Sequence, residues 1–368
     1  MKREQTGGAR AGCEIAVYVL NPDELRVAFA FGADRAIVDT SRTRYGSASQ
    51  FDLHSLEWAI NHAAKHGKSV TVWLGISPSI PRAREADRLA DSLKRIGAAS
   101  AIIRDPCMIA LCGNAEIKDL VLDPSLPIRN AAAAEFWHAM GVQSWFAGFD
   151  LSAFELEALL SSAAGKGAFV YGLAAMTSAG APIMPGSDGE PRYSFASLHY
   201  LPRFLNAGMK RLALFPPEGG AAAVAAIVRA FAAVLRGKPR RANASVAMKQ
   251  LNRAIRLPVS RGFFPGRLHI PPGGRPPAGR LLSAEVAGVV REYYSDQRRV
   301  RVVLKAPIRA GEEMLLMTPE ADFRFRIGYA SIMDKSGSAL EAAAPGRHRE
   351  VSMFLPAEAA PYSLILRA

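Results

Sequence analysis

The sequence predicts an α/β protein: a (β/α)₈ barrel of the TIM type over residues 1–236, a basic Pro/Arg-rich linker over 237–280, and a small antiparallel all-β domain over 281–368. Three observations carry this. Eight short apolar runs alternate with helical patterns between Cys13 and Arg236. Seven prolines and no acidic residue fall within 237–280. Beyond Leu281 the texture changes to short β-rich runs separated by turn residues.

The eight runs are Ile15–Leu20, Ala36–Asp39, Ser69–Leu74, Ser100–Ile103, Asp119–Leu122, Val142–Phe146, Ala168–Tyr171 and Arg211–Leu214. They read as continuous apolar stretches rather than alternating ones, as strands covered on both faces do. The helices between them have legible ends. Phe51-Asp52-Leu53 leads into Leu56, Ile60 and Ala63 at helical spacing. Ser152 is followed three residues later by Glu155, a capping box ahead of Phe154–Leu160. Gly67, Gly97, Gly141 and Gly208 each stand just past a helix and before a strand, where a left-handed cap belongs. Gly219–Leu235 is Ala-rich and apolar; interrupted by Arg229 and short of a span, it reads as a helix on a core rather than in a membrane. Eight β-then-α units in about 220 residues favour a closed barrel over the alternative, an open doubly wound sheet. In the last third, Val286–Tyr293, Val300–Leu304, Glu313–Met317, Phe323–Ile327 and Ser352–Leu355 read as strands of a small antiparallel barrel or sandwich.

The net charge of +13 is local. Residues 1–218 carry 22 basic and 22 acidic side chains, residues 219–284 carry 12 basic and none acidic, and residues 285–368 carry 12 and 11. Within the middle segment Arg240, Arg241, Lys249, Arg253, Arg256, Arg261 and Arg267 surround Phe263 and Phe264. Cations interleaved with aromatics suit phosphate contact and base stacking, so RNA is the partner this segment points to; a solvated linker whose arginines pair with acids elsewhere is the alternative. Three cysteines do not make a disulfide framework, and Met1–Arg10 lacks an apolar core for secretion. Together these point to a soluble, cytoplasmic protein without a membrane partner.

The standard nucleotide loops G-x-G-x-x-G and G-x-x-x-x-G-K-[ST] are absent, and Gly186-Ser187-Asp188-Gly189 fails the spacing of a nucleophile elbow. His62 and His66 share a helix face without the glutamate of a zinc-protease helix. Cys13, Cys107 and Cys112 fall one short of a four-thiolate site; buried unreactive thiols, with no metal or cofactor, are the expectation, and three Cys plus a His the alternative. Barrel chemistry gathers at the carboxyl ends of strands. Those positions hold Asp39, Arg104, Asp105, Asp123, Asp150 and Tyr171, with Arg44 in the following loop and Asn130 opening the fifth helix. Asp39 and Asp105 suit a general acid/base pair, Arg44 or Arg104 an anion site, and Tyr171 a further catalytic group; the same residue types also cap helices and form ion pairs.

Several stretches resemble the collagenase-like peptidase family, unclassified peptidase family thirty-two. Phe29-Ala30-Phe31-Gly32-Ala33-Asp34-Arg35-Ala36-Ile37 is similar to its opening A-x-x-x-G-A-D-A-V-Y. Phe51-Asp52-Leu53-His54-Ser55-Leu56, with His62 and Gly67-Lys68-Ser69-Val70, resembles F-T-x-E-E-L … A-H-x-x-G-x-K-V. Ile102-Ile103-Arg104-Asp105, Asn130 with Gly141, and Arg261-Gly262-Phe263-Phe264-Pro265-Gly266 resemble its I-V-x-D, N-x-x-A and R-G-F-T-x-G. The resemblance implies a (β/α)₈-like barrel followed by a small β domain, the label of a peptidase, and in characterised branches hydroxylation of tRNA, ribosomal RNA or quinone precursors with an iron–sulfur cluster on four cysteines. This chain departs there. Ala175 and Ala181 stand where the first two cysteines belong, the stretch bearing the others is shortened to 182–192, and Tyr171 replaces a histidine. Gly148-Phe149 replaces an arginine-glutamate, and Leu212–Pro217 replaces K-I-E-G-R. The expectation is a divergent relative without the cluster, an RNA- or partner-protein-binding accessory factor of RNA or quinone hydroxylation. The alternative is a hydrolase, peptidase or hydroxylase with its site at the barrel mouth.

Overall fold

A computed structural model of the chain describes residues 12–39, 50–74, 83–184, 189–217, 219–236, 241–271, 281 and 284–367. Eight parallel strands form the barrel: β1 (Glu14–Tyr18), β2 (Arg35–Val38), β3 (Ser69–Leu74), β4 (Ser100–Ile103), β5 (Asp119–Leu122), β6 (Trp145–Phe146), β7 (Ala168–Met176) and, after β8 (Pro182–Ile183) and β9 (Tyr193–Ala196), the last one, β10 (Arg211–Leu214). Neighbours pair in chain order from β1 to β5. A bridge of Val121 to Ser144 links β5 to β6, which pairs with β7. β7 pairs with β10, and Glu14 opposite Arg211 closes β10 onto β1. All eight apolar runs of the sequence are barrel strands, and the ring is closed rather than open.

The helices are α1 (Pro22–Ala30), α2 (Leu53–Lys65), α3 (Ala83–Arg95), α4 (Cys107–Asn114), α5 (Ala131–Ala139), α6 (Ala153–Ser161), α7 (Leu201–Asn206), α8 (Ala221–Arg236) and α9 (Arg241–Ala254). Their starts follow local chemistry. Asn21 caps α1 with Pro22 in its first turn, Asp52 and Ser55 form a capping box on α2, and Ser152 and Glu155 form the one expected on α6. Gly67 and Gly97 take φ of +64° and +73° past α2 and α3, the left-handed stop that only glycine adopts without cost.

Strand β7 runs five residues past Tyr171, because its far half pairs antiparallel with β8 and β9. β9 in turn carries β11 (Val259–Ser260) on its other edge. Residues 241–260, read above as part of a linker, thus hold a helix and a sheet strand. Ala244, Ala247, Leu251 and Ala254 are buried at helical spacing, and α9 packs along α8. Dense cations hide that stripe in the sequence.

The C-terminal domain is an antiparallel sheet in which β12 (Glu285–Tyr294) and β13 (Arg299–Leu304) are central. Its core is Val290, Val300, Val302, Leu304, Leu316, Ile332, Met353 and Ile365. The closing strand, Leu364–Arg367, pairs with both β12 and Glu313–Met317. Arg229, the charge interrupting the apolar helix, is buried on α8 and reaches this domain, donating to the Thr318 carbonyl at 2.7 Å and to Asp322 Oδ1 at 2.6 Å. Met317, Leu364 and Leu366 join the barrel's own core beside it.

Candidate functional site

Among the described residues, the carboxyl ends of the barrel strands carry a cluster of aromatic rings. Phe215, just past β10, lies 5.8–6.3 Å from the ring centres of Tyr18, Trp73, Phe146 and Tyr171. Phe149 packs on Tyr171 at 5.1 Å and on Phe195 at 4.7 Å. The buried carboxylates at this end are held by these rings: Tyr18 Oη donates to Asp39 Oδ1 at 2.9 Å, and Trp73 Nε1 donates to Asp123 Oδ2 at 2.6 Å. Between Ala147, Phe149, Tyr171 and Phe264 a recess of about 10 Å³ remains, the space of one water.

Each candidate from the sequence has a definite place. Asp39 is fully buried and bonded to Tyr18. Tyr171 is buried with no hydrogen-bond partner for its hydroxyl among the described residues. Burial, and then the charge of Asp123, push that hydroxyl far above the ordinary tyrosine range. Asp105 accepts from the Cys107 N–H at 3.0 Å at the start of α4, and Asn130 accepts from the Ala133 N–H at 2.9 Å as the cap of α5. Arg104 is exposed. Asp150 pairs with Arg129 at 2.9 Å. Arg44 and Arg240 lie outside the described residues, and Arg241 opens α9. The structure thus gathers Asp39, Asp123 and Tyr171 with Tyr18, Trp73 and Phe215. Sequence reading missed the last three because single aromatics inside apolar strands look like any core residue.

The segment after α8 divides into buried and exposed parts. Phe264 enters the core against Phe195, Tyr200 and Phe204 at 4.9–5.2 Å, and its carbonyl accepts from Ala153 N at the start of α6. Phe263 is half-buried, its ring only 2.7 Å from where a Cβ on Gly180 would sit. These rings fasten the Arg261–Gly266 turn to the barrel, a packing role in place of the base-stacking one expected. The cations face outward: Lys249, Arg253, Arg256, Arg261 and Arg267 are all exposed, and Arg253 stands 3.6 Å from Asp322.

The residues present do not suit the four-cysteine cluster of the family. Ala175 is a buried methyl in the β7–β9 ladder, and Ala181 closes a turn with Thr177. Burial, with Glu14 and Asp34 nearby, pushes the Cys13 thiol up to about 12; burial likewise takes Cys107, beside Asp105, and Cys112, beside Cys107, to about 11. Among the described residues no three His, Cys, Asp or Glu side chains are grouped to hold a metal ion. No helix among them is long and apolar enough to cross a membrane.

The motifs that survive are structural. Asp34 accepts from Ile15 N at 3.0 Å, Lys68 Nζ at 2.9 Å and Arg236 Nη2 at 2.9 Å, joining β1, the start of β3 and α8. Gly32 has φ +117°, and a Cβ there would lie 2.9 Å from Arg236 Nη1 and 3.1 Å from Ala232 Cβ, so a side chain at this position is strained by its backbone and crowds α8.

Comparison with known proteins agrees with this scaffold. Residues 20–189 match Peptidase family U32, and residues 283–367 match the Peptidase family U32 C-terminal domain. Among solved structures, the C-terminal domain of a Geobacillus thermoleovorans protein assigned to the U32 peptidases is 27% identical, over 22% of this chain and 89% of that one, with a TM-score of 0.21. The U32 peptidase Mk0906 is 10% identical over 60% of this chain and 97% of its own, with a TM-score of 0.42. Phosphoribosyl anthranilate isomerase from Thermus thermophilus is 13% identical over 55% and 86%, with a TM-score of 0.37. No curated protein matches. With its barrel and its β domain each matched in turn, the chain belongs to peptidase family U32.

Proposed function

We propose that this U32 relative works by binding RNA, as an accessory factor of RNA modification, rather than by cluster chemistry of its own. The observation that carries the reading is that Lys249, Arg253, Arg256, Arg261 and Arg267 are all exposed, on a segment with no acidic residue. Five cations on a fixed helix and turn are presented to a polyanion without neighbouring carboxylates in sequence to compete. The second half is supported by the missing cluster ligands: Ala175 and Ala181 offer no thiolate, and Cys13, Cys107 and Cys112 are not grouped with other metal-binding side chains among the described residues.

Filter binding of tRNA and ribosomal RNA fragments across a salt series tests this. If four cations meet phosphates, log K falls against log salt with a slope of about −3 on single strands and somewhat steeper on duplex. The triple variant Arg256→Glu, Arg261→Glu, Arg267→Glu should flatten the slope to about −1 and weaken binding on every sequence alike. Binding that ignores salt, or that the triple variant retains, overturns the reading.

One observation favours a second reading, a hydrolase at the barrel mouth: the Tyr171 hydroxyl is held buried near the Asp123 charge. Turnover of peptide or ester substrates that Tyr171→Phe abolishes without loss of folding would establish it.

A further inference from the structure

A larger cavity lies away from the barrel mouth, where α1 faces β12 and β13 of the C-terminal domain. Its volume is about 490 Å³, within the range of small-molecule sites. One side is aliphatic: Val27 comes from α1, Val286 and Val289 from β12, and Val303 from β13. The three valines from the C-terminal domain are half-buried, so apolar area stays open to the cavity. The other side is cationic. Among the described residues Arg26, Arg291 and Lys305 line it with Asp23 as the one acid, a net charge of +2.

These charges are unequally engaged. Asp23 pairs with Arg26 at 2.8 Å and, across the two domains, with Lys305 at 2.6 Å. Arg26 also lies over the Trp58 ring at 4.2 Å. Arg291 is exposed and makes no ion pair or hydrogen bond among the described residues. Among the described residues this guanidinium thus stands without a carboxylate beside the partly open valine floor. Asn21 and Gln50 line the same cavity, with amide groups for orientation.

We propose that this interdomain cleft binds a small organic anion: a compact apolar body seated on Val286, Val289 and Val303, with a carboxylate, phosphate or sulfonate group at Arg291. An inorganic anion alone leaves the valine floor wet, and a neutral apolar molecule leaves Arg291 unmatched. The site uses no residue of the 241–271 segment, so it stands or falls separately from the RNA reading.

The test uses the full chain and two fluorescent probes of similar size. 8-Anilinonaphthalene-1-sulfonate has an apolar body with one anionic group, and N-phenyl-1-naphthylamine is its neutral counterpart. The sulfonate should bind at one saturable site and more tightly than the neutral dye. Arg291→Glu, at an exposed residue with no ion pair among the described residues, should leave the melting curve unchanged, weaken the sulfonate about tenfold and shift the neutral dye less than twofold. Arg291→Lys should restore most of the sulfonate affinity. Val289→Trp, with an unchanged melting curve, should exclude both dyes. Sulfonate binding unaltered in Arg291→Glu overturns the proposal, as does equal affinity for the two dyes.

Discussion

Arg35 is the residue whose loss the structure makes most consequential. Its guanidinium lies at the amino-terminal end of the barrel, 11% exposed, and reaches four other strands' worth of partners. Nη1 donates to Thr71 Oγ1 at 2.7 Å, Ser100 Oγ at 2.9 Å and Asp119 Oδ2 at 2.7 Å, while Nε bonds Glu14. Glu14 also meets Arg211 at 3.3 Å, and Arg211 bonds Ser144 and lies over the Phe169 ring. One polar ring therefore touches all eight barrel strands or their immediate approaches. Replacing Arg35 by Met keeps the aliphatic stem but leaves two carboxylates and two hydroxyls facing an apolar side chain. Removing one partner of a buried pair costs about 3–5 kcal/mol. Glu14 and Asp119 are 23% and 29% exposed, so water recovers part of that and the lower end, about 3 kcal/mol, is expected. At roughly 2–4 °C per kcal/mol for a chain portion of this size, Tm should fall by about 6–12 °C. Urea unfolding followed by far-ultraviolet circular dichroism, with an unchanged m-value, measures it. Arg35→Lys should recover only part, since an ammonium cannot span the same partners. A loss below about 1 kcal/mol in Arg35→Met refutes the idea that this ring ties the strands together.

Tyr171→Phe removes a buried hydroxyl that has no partner among the described residues, so it should be neutral or stabilise by about 1 kcal/mol; a clear loss in the urea midpoint shows that the hydroxyl is satisfied. Gly32→Ala combines a left-handed φ with contact against Ala232 and should cost about 1–3 kcal/mol, whereas a neutral result in thermal melting denies the close seat of α8. His62 stacks on Trp58 at 4.9 Å; burial, then the neighbouring His66, Arg26 and Lys65 charges, lower it from 6.5 to about 4. Between those values the unfolded chain binds the extra proton, so stability at this site is full above pH 6.5 and is lost as pH falls toward 4. His62→Gln should therefore flatten the stability profile over that window, and identical profiles contradict the assignment.

The barrel was legible because its signal is repeated. Eight runs such as Ser69–Leu74 and Asp119–Leu122 carry the same two-faced apolar character, and capping residues such as Ser152 mark what lies between. Strands β9 and β11 were not, since Tyr193–Ala196 and Val259–Ser260 are too short for a period and pair only after distant segments meet. The mouth was half legible. Asp39 and Tyr171 fall where barrel geometry puts strand ends, but that Tyr18 and Trp73 would engage the carboxylates depends on strand register. Thr71 and Ser100 gave no sign at all: small polar residues at strand starts are common, and only closure brings them under Arg35. The same holds for the cleft, which joins residues 21–27 to residues 286–305.

The polar ring also sets a timetable. Glu14 leaves the ribosome 197 residues and Arg35 176 residues before Arg211, a delay of about 9–40 s at roughly 5–20 residues per second. Until Arg211 emerges, Glu14 holds one of its two guanidinium neighbours, the Ser144 hydroxyl lacks its donor, and the flanks of β1 and β7 stand bare as pairing edges. A nascent chain of this protein is therefore most adhesive just before synthesis of its final barrel strand, and fragments ending short of residue 211 should be the first to be captured by chaperones.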